Sequence, residues 1–190
     1  MTTNKKSDPR ERILEAANHL FYTEGVHATG TEKIMSISGV AKATFYRHFE
    51  SKDALVLAYL DLRDRLFWDY VLSPAPPEDI YEAVVRIERL VNQPEITGCP
   101  FLLIASEFPD TAHPFHGVAI KHKNKFHNFL AELLKAYPGD NNAAAARILG
   151  VIDGALSARM MYGTSKAISL LASAEAVVKG ASDGTEDNSH

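Results

Sequence analysis

Residues 31–49 read TEKIMSISGVAKATFYRHF, and the rest of the architecture can be built around them. The stretch predicts two short helices separated by a break at Ser38-Gly39. Phe45 and Phe49 are four residues apart and therefore lie on one face of the second helix. The remaining face carries hydrogen-bond donors, on Lys42, Thr44, Tyr46, Arg47 and His48. A helix that is anchored by aromatic residues and edged with donors fits the major groove of DNA.

The next helix is predicted to begin at Ser51-Lys52-Asp53, which places a lysine and unpaired backbone N–H groups at a helix start, where phosphate binds well. The distribution of charge along the chain also favours a DNA contact near the N-terminus. Residues 1–52 contain eight Lys and Arg against six Asp and Glu, a net charge of +2, whereas the remainder contains twelve against eighteen, a net charge of −6. A mildly basic N-terminal segment on an acidic remainder is typical of a DNA contact confined to one end.

Composition indicates an ordinary globular protein of one or two domains. The chain has 190 residues, of which 46% are hydrophobic and 23% charged. Its one cysteine, Cys99, excludes an internal disulfide and fits a reducing compartment. There is no run of about 18 apolar residues that would span a membrane, and residues 1–8 lack the apolar core of a secretory signal. We therefore expect a cytoplasmic protein without a membrane partner.

Helical patterns run along almost the whole chain, and no strand pattern is found. Residues 8–11, Asp-Pro-Arg-Glu, form a strong helix start, and Gly25 ends that helix. Thr29 and Glu32 fit a capping box for the second helix. Further helices are expected over about 51–72, 78–92, 101–108, 114–137, 141–162 and 165–178. The tail at 180–190 is small, polar and acidic, so we expect it to be disordered.

Three patterns in the N-terminal part identify a family. They are Ile13-Leu14-x-Ala-Ala, Leu20-Phe21-x-x-x-Gly25 and, above all, Gly39-Val40-Ala-Lys-Ala-Thr-Phe-Tyr-Arg-His-Phe-x-Ser-Lys52. Together they resemble the TetR/AcrR family of bacterial transcriptional regulators, from Arg10 to about Tyr59. The segment from Gly98 to His116 is similar to one branch of that family.

The resemblance implies an all-α fold of about nine helices. A three-helix helix-turn-helix DNA-binding domain at 1–50, with a flexible arm at 1–8, would be joined by a long helix to a helical ligand-binding and dimerisation domain at 51–179. It also implies a homodimer, a palindromic double-stranded DNA operator and a small-molecule effector pocket in each body. The implied function is a ligand-responsive regulator, usually a repressor released by its effector, with no catalytic residue and no cofactor.

The DNA contacts that the family implies, carried over by position, are Thr31, Lys42, Thr44, Tyr46, Arg47, His48 and Lys52. Thr44 is the best candidate for a base edge, since its methyl can meet a thymine methyl and its hydroxyl can donate or accept. Tyr46 has an alternative role, as a surface tyrosine packed on its own helix. Ala41 departs from the family, because relatives often place a serine there to cap the helix. Losing such a cap typically costs about 1 kcal/mol, so we expect weaker or differently tuned binding.

Candidate residues for the effector pocket are Cys99, Phe101, Ile104, Glu107, His122, Phe126 and Asp153. His122 lies in an apolar seam of the helix predicted at 114–137, whose other members are Phe115, Val118/Ala119, Phe126, Phe129 and Leu133. It is either a polar anchor for a ligand or a buried histidine satisfied by a neighbour such as Glu107 or Asp153. Cys99 either lines the same cavity or fills space, and we favour space-filling.

The histidines His113, His116, His122 and His127, with Glu107 and Asp110 nearby, raise a metal-site hypothesis. Their spacing does not support it, because His116 and His127 are eleven residues apart and the segment holds no His-x-x-x-His pair. We therefore predict no metal site. A metal-dependent helical hydrolase remains an alternative function, as does a helical interaction module without DNA, which would leave residues 29–52 unexplained.

A strip of small side chains runs along the predicted helix at 141–162. Its members are Ala143 and the five candidate interface residues Ala146, Gly150, Gly154, Ser157 and Ala158. Such a strip can pack closely within one subunit, or it can let helices approach across a two-fold axis. Because the family dimerises through its last two long helices, we favour a dimer interface. Asp153 and Arg159 would then pair across the strip or cap the pocket floor.

Overall fold

The computed structural model describes residues 8–163 and 169–183, and this part of the chain contains nine α-helices, one 3₁₀ turn and no strand. The helices are α1 Pro9–Glu24, α2 Thr31–Ser38, α3 Lys42–His48, α4 Lys52–Leu72, α5 Ile80–Val91, α6 Pro100–Glu107, α7 Pro114–Leu133, α8 Asn141–Tyr162 and α9 Leu170–Asp183. The predicted all-α fold is confirmed. Among these nine helices, none is long and apolar enough to cross a membrane.

The described residues pack into two compact units. Unit 1 lies within Met1–Arg65 and Pro100–Ala119, and unit 2 within Leu66–Cys99 and Ile120–His190. Helices α4 and α7 each contribute residues to both units. This division follows packing, whereas the boundary predicted after residue 50 is one of function and stays a prediction.

Unit 1 contains the three N-terminal helices α1–α3, which we call the head. Asp8 caps α1 by accepting the Arg10 N–H at 3.4 Å, so this residue of the predicted flexible arm belongs to the helix start. The apolar face of α1 supplies the centre of the head, with Ile13, Ala17 and Leu20 at 0–1% exposure. Ile34 of α2 is also fully buried. These residues form the base on which α3 is fixed.

The predicted capping box for α2 is wrong. Gly30 occupies the N-cap position, and no side chain caps the helix. The Thr29 hydroxyl donates instead to the Gly25 carbonyl at 2.7 Å, and Thr29 is completely buried. A threonine hydroxyl can bond either to a helix N–H or to a carbonyl four residues back. Here it bonds to the carbonyl of Gly25, in the turn after α1.

Unit 2 is built around a core to which α4, α5, α7, α8 and α9 all contribute. Asp79 caps α5 by accepting the Glu82 N–H at 2.8 Å, and Asp140 caps α8 through Asn142 and Ala143 at 3.0 and 3.1 Å. The core includes Trp68, Ile87, Phe126, Leu130, Leu134, Ile148 and Ile152. Unit 2 therefore has a sizeable apolar interior of its own.

The C-terminal end differs from the prediction. Helix α9 extends to Asp183, so the expected disorder is wrong for residues 180–183. The predicted start of this helix near Ser165, the remaining tail at 184–190 and residues 1–7 of the arm lie outside the described residues.

Candidate nucleic-acid interface

The break between α2 and α3 is a left-handed turn at Gly39, which has φ 62° and ψ 32°. The Val40 N–H donates to the Met35 carbonyl at 3.2 Å and so closes the end of α2. From α1, the Arg12 Nη1 donates to the Ser38 carbonyl at 3.1 Å. A residue with a Cβ would be strained at Gly39 by about 1–2 kcal/mol, which explains the glycine at this turn.

Helix α3 is held by two aromatic anchors, as predicted. Phe45 is fully buried and Phe49 is 4% exposed. The Arg10 guanidinium lies over the Phe49 ring at 5.2 Å from its centroid. The start of α3 carries no side-chain cap, since only the Ala41 carbonyl accepts the N–H groups of Thr44 and Phe45. The helix is therefore positioned mainly by its buried face.

The outer face of α3 presents the predicted polar side chains. Lys42, Tyr46 and Arg47 are exposed, whereas Thr44 and His48 are half-buried. Tyr46 is 43% exposed, and its ring also lies edge-on to Phe45 with centroids 5.2 Å apart. Both roles considered for this tyrosine are thus geometrically open, and the DNA contacts of all five residues stay predictions.

The two remaining DNA candidates lie at helix starts. Thr31 is the first residue of α2 and is half-buried. Lys52 is the first residue of α4, which Ser51 caps by accepting the Ala54 N–H at 3.0 Å. The Lys52 ammonium donates to the Val26 carbonyl at 2.6 Å. An ammonium has three donors, so this bond leaves Lys52 able to donate to a phosphate as well.

The predicted pocket residues are divided between the units. Phe101, Ile104 and Glu107 belong to unit 1, and Cys99, His122, Phe126 and Asp153 to unit 2. Five of them are buried, the exceptions being the half-buried Glu107 and Asp153. Their assignment to an effector pocket stays a prediction.

His122 sits among aromatic rings in unit 2. Its ring centroid lies 5.2 Å from that of Phe67 and 6.3 Å from that of Phe126. The two carboxylates considered as its partners are engaged by other groups: Glu107 accepts backbone N–H groups of the α1–α2 loop, and Asp153 pairs with Lys123. The rings of Phe67 and Phe126 are thus part of the environment of this histidine in unit 2.

Unit 2 also has an open depression of about 600 Å³ that the sequence did not indicate. At its wall, Arg86 donates to the Val71 and Ala75 carbonyls at 2.8 and 2.6 Å and pairs with Glu82 at 2.6 Å. The Glu78 backbone N–H and then Arg86 lower the pKa of Glu82. The depression is lined by Asp69, Tyr70, Ser73, Pro74, Glu82, Arg86 and Arg89, none of which is a predicted pocket residue. The sequence does indicate the ion pair at its wall, because Glu82 and Arg86 are four residues apart on one helix, but it does not indicate the depression.

The histidines of the metal hypothesis have roles within the protein. His113 Nδ1 accepts the Phe115 N–H at 3.2 Å, His116 Nδ1 lies 2.7 Å from the Phe108 carbonyl oxygen, and His127 Nε2 lies 3.1 Å from that of Asn142. Over residues 8–163 and 169–183, no three His, Cys, Asp or Glu side chains are grouped so as to hold a metal ion.

The strip of small residues on α8 lies towards the surface of the protomer. Ala146, Gly150 and Gly154 are exposed, and Ser157 and Ala158 half-buried. A Cβ added at Gly150 or Gly154 would have open space around it, so close packing within the subunit does not explain these glycines. Nearby, Arg159 is 6% exposed and donates to the carbonyls of Gln93 and Ile96. Arg159 and Asp153 therefore both have partners within the protomer.

Fold and surface together define a helix-turn-helix protein with a second, helical unit. The sequence model of bacterial regulatory proteins of the tetR family matches residues 13–59. The crystal structure of SCO4454, a TetR-family transcriptional regulator from Streptomyces coelicolor, is 34% identical, with a TM-score of 0.83 over 92% of this chain and 96% of that one. The chain belongs to the TetR family of bacterial regulatory proteins.

Two further relatives agree with this. The structure of a putative TetR transcriptional regulator from Streptomyces avermitilis is 29% identical, with a TM-score of 0.79 over 92% of this chain and 98% of that one. The HTH-type transcriptional repressor Rv3405c of Mycobacterium tuberculosis is 32% identical over 122 residues, which are 59% of this chain and 65% of the relative. The chain thus spans just under two thirds of the curated relatives' length.

Proposed function

We propose that this protein is a ligand-responsive transcriptional regulator, most simply a repressor, which binds a palindromic DNA operator as a homodimer and is released by a small-molecule effector. The observation that carries the proposal is the outer face of α3. Lys42, Tyr46 and Arg47 are exposed on a helix whose opposite face is fixed by the fully buried Phe45. Because its partner would be chromosomal DNA, we propose the cytoplasm as its compartment.

In this proposal α3 enters the major groove. Lys42, Tyr46 and Lys52 would contact phosphates together with Thr31, and Thr44 would meet a base edge, with Arg47 and His48 at the flanks. Phosphate contacts would supply much of the affinity and make it salt-dependent, whereas base contacts would select the sequence. The small positive charge of residues 1–52 means that binding would depend on the placement of a few cations and on the pairing of two heads.

A dimer would couple the effector to DNA through the distance between its heads. Half-sites read by two helix-turn-helix units lie about 34–36 Å apart, or a multiple of that spacing. An effector bound in unit 2, in a pocket drawn from the predicted residues Cys99, His122, Phe126 and Asp153, would move α4 and change the head separation. Such coupling is reciprocal, so operator DNA would weaken effector binding by the same factor.

Selection of duplexes from a random-sequence library tests DNA recognition directly. We expect the wild-type protein to enrich a palindrome whose half-sites are about 10–10.5 base pairs apart, centre to centre, or a related spacing. The logarithm of the binding constant should fall linearly with that of the salt concentration, by about 0.9 per phosphate contacted. Two protomers should bind each duplex. Enrichment of no sequence at all would contradict the proposed function.

The proposed dimer interface can be tested with Gly154→Leu. The added side chain finds open space within the protomer, and replacing a helical glycine favours the helix by about 1 kcal/mol. In an interface, however, overpacking costs about 1–3 kcal/mol and occurs twice across a two-fold axis. We expect dimer dissociation to increase by roughly 30-fold or more, measured by sedimentation equilibrium.

Gly117→Leu is the matched control, because Gly117 is an exposed helical glycine of α7 that also has open space around it. It should leave the monomer–dimer equilibrium unchanged. If Gly154→Leu leaves it unchanged as well, the strip on α8 is not the dimer interface.

A further inference from the structure

The loop between α1 and α2 is held by the last residue of α6. One carboxylate oxygen of Glu107 accepts the Val26 N–H at 3.0 Å, and the other accepts the His27 N–H at 2.7 Å. These bonds join residues about eighty positions apart within unit 1. Hydrogen bonds to an ionised group are roughly twice as strong as neutral ones. The loop is therefore fixed by a side chain from outside the head.

Residues around Glu107 leave room for its carboxylate and add contacts to the same loop. A Cβ on Gly25 would lie only 3.1–3.3 Å from the Glu107 carboxylate, and Gly25 has φ 90°, which disfavours other residues. The His27 ring stacks on that of Phe108 with centroids 4.4 Å apart, and its Nε2 lies 3.0 Å from the Glu107 carbonyl oxygen. Side chain and main chain at the end of α6 thus contact the loop together.

The same loop fixes two helix starts that are predicted to contact phosphate. Val26 is held from both sides, because Glu107 accepts its N–H while its carbonyl accepts the Lys52 ammonium at 2.6 Å. Lys52 begins α4. The buried Thr29, bonded to the Gly25 carbonyl, lies two residues before Thr31, where α2 begins. Releasing Glu107 would loosen the loop that connects these positions.

We propose that Glu107 is a positioning residue for DNA binding, which fixes the α1–α2 loop so that Thr31 and Lys52 meet the phosphate backbone together. The role rests on the proposed function, and it assigns the Glu107 carboxylate to the loop instead of the effector pocket. Glu107 lies outside residues 13–59, which match the family model. The head is thus completed by a segment from elsewhere in the chain.

The test uses Glu107→Gln, Glu107→Asp and the control Glu15→Gln in the full-length protein. Gln keeps the length but loses the charge and one acceptor, whereas Asp keeps the charge but loses reach. Glu15 is an exposed residue of α1, so its change to Gln alters the charge of unit 1 equally. We expect the Val26 and His27 amides to exchange hydrogen at least about tenfold faster in both Glu107 variants, and at the wild-type rate in the control.

DNA affinity is then measured with the duplex that the wild type selects. If the positioned loop falls to about a tenth of the population, affinity per head falls about tenfold, while the salt slope stays unchanged because no phosphate contact is removed. Glu15→Gln should bind at least as tightly as wild type, since it removes a negative charge. Glu107→Asp keeps the charge, so weaker binding there identifies geometry as the cause.

The positioning role would be overturned if the Val26 and His27 amides exchanged at the wild-type rate in both Glu107 variants. Faster exchange with an affinity equal to that of Glu15→Gln would overturn it as well. A changed salt slope would also overturn it, since it would indicate a direct electrostatic effect on phosphate. If the wild-type protein selects no duplex, the proposed function is wrong. This outcome is seen with the wild type alone, so it is distinguished from a failure of the positioning role, which is seen only in the variants.

Discussion

Phe45→Ala is expected to destabilise the head by about 3–5 kcal/mol and to weaken specific DNA binding strongly. Phe45 is fully buried and is one of the largest side chains that unit 1 encloses completely. Truncating such a phenylalanine costs about 3–5 kcal/mol, which compares with a total stability of about 5–15 kcal/mol for a typical domain. Since α3 has only seven residues and no side-chain cap, little else would keep it in place.

Hydrogen exchange of α1–α3 measures this effect, and the free energy of opening should fall by the stated amount. Ile37→Ala is the control, because Ile37 belongs to the same head but is 54% exposed, and surface changes usually stay within about 0.5 kcal/mol. The one tryptophan, Trp68, lies in unit 2, so its fluorescence reports that unit separately. Equal exchange in Phe45→Ala and Ile37→Ala would show that Phe45 does not anchor α3.

The head could be predicted because its signals are local. Phe45 and Phe49 share a helix face through their spacing alone, and Gly39 marks a turn that needs a left-handed residue. The structure places all three as expected. The bounds of α8 were likewise readable, since Pro138-Gly139 precedes the helix and Gly163 follows it.

Two predictions differ from the structure because one sequence pattern is compatible with two local arrangements. On α7 the predicted apolar seam runs from Phe126 through Phe129 to Leu133. The fully buried residues of this stretch are Leu130 and Leu134, at 0 and 1% exposure, whereas Phe129 and Leu133 are half-buried and pack against the same core. Steps of three and four residues both follow a helix face, so only the neighbouring helices decide between them. The predicted capping role of Thr29 is wrong for a similar reason. A threonine hydroxyl can bond either to a helix N–H or to a carbonyl, and the buried Thr29 hydroxyl donates to the Gly25 carbonyl.

Contacts between distant segments could not be predicted from one sequence. Glu107 is a predicted pocket residue, and its carboxylate accepts backbone N–H groups of a loop about eighty residues away. Arg159 was placed near the α8 strip, but its guanidinium satisfies the carbonyls of Gln93 and Ile96. Such bonds join a side chain to backbone groups, and no residue pattern specifies which loop supplies them.

Lys42→Ala is expected to reduce both the affinity for the selected duplex and its salt dependence. Lys42 is exposed at the first position of α3, where we propose that it neutralises a phosphate. Each lost phosphate contact lowers the magnitude of the salt slope by about 0.9, and a dimer would lose two contacts. The slope should therefore change by about 1.8, and the affinity should fall most at low salt.

Two further variants separate a specific contact from general charge. Lys33→Ala removes the same charge from α2, but its ammonium is already bound to Glu24 at 2.5 Å, so the slope should hardly change. Tyr46→Phe removes only a hydroxyl and keeps the ring packed against Phe45. If the phenol meets a phosphate, this change should weaken binding by about a hundredfold or more over two heads. If Tyr46 only packs on its helix, affinity should stay at the wild-type value.

These variants decide how α3 is used. Lys42 and Tyr46 are four residues apart, so they share one face, and a phosphate contact by both fixes which side of α3 follows the DNA backbone. Thr44 would then be the residue left for base edges. If Lys42→Ala and Lys33→Ala weaken binding equally, with the same change in slope, the head binds DNA through its net charge alone. The placement of α3 in the major groove would then be wrong, even though the fold is that of the family.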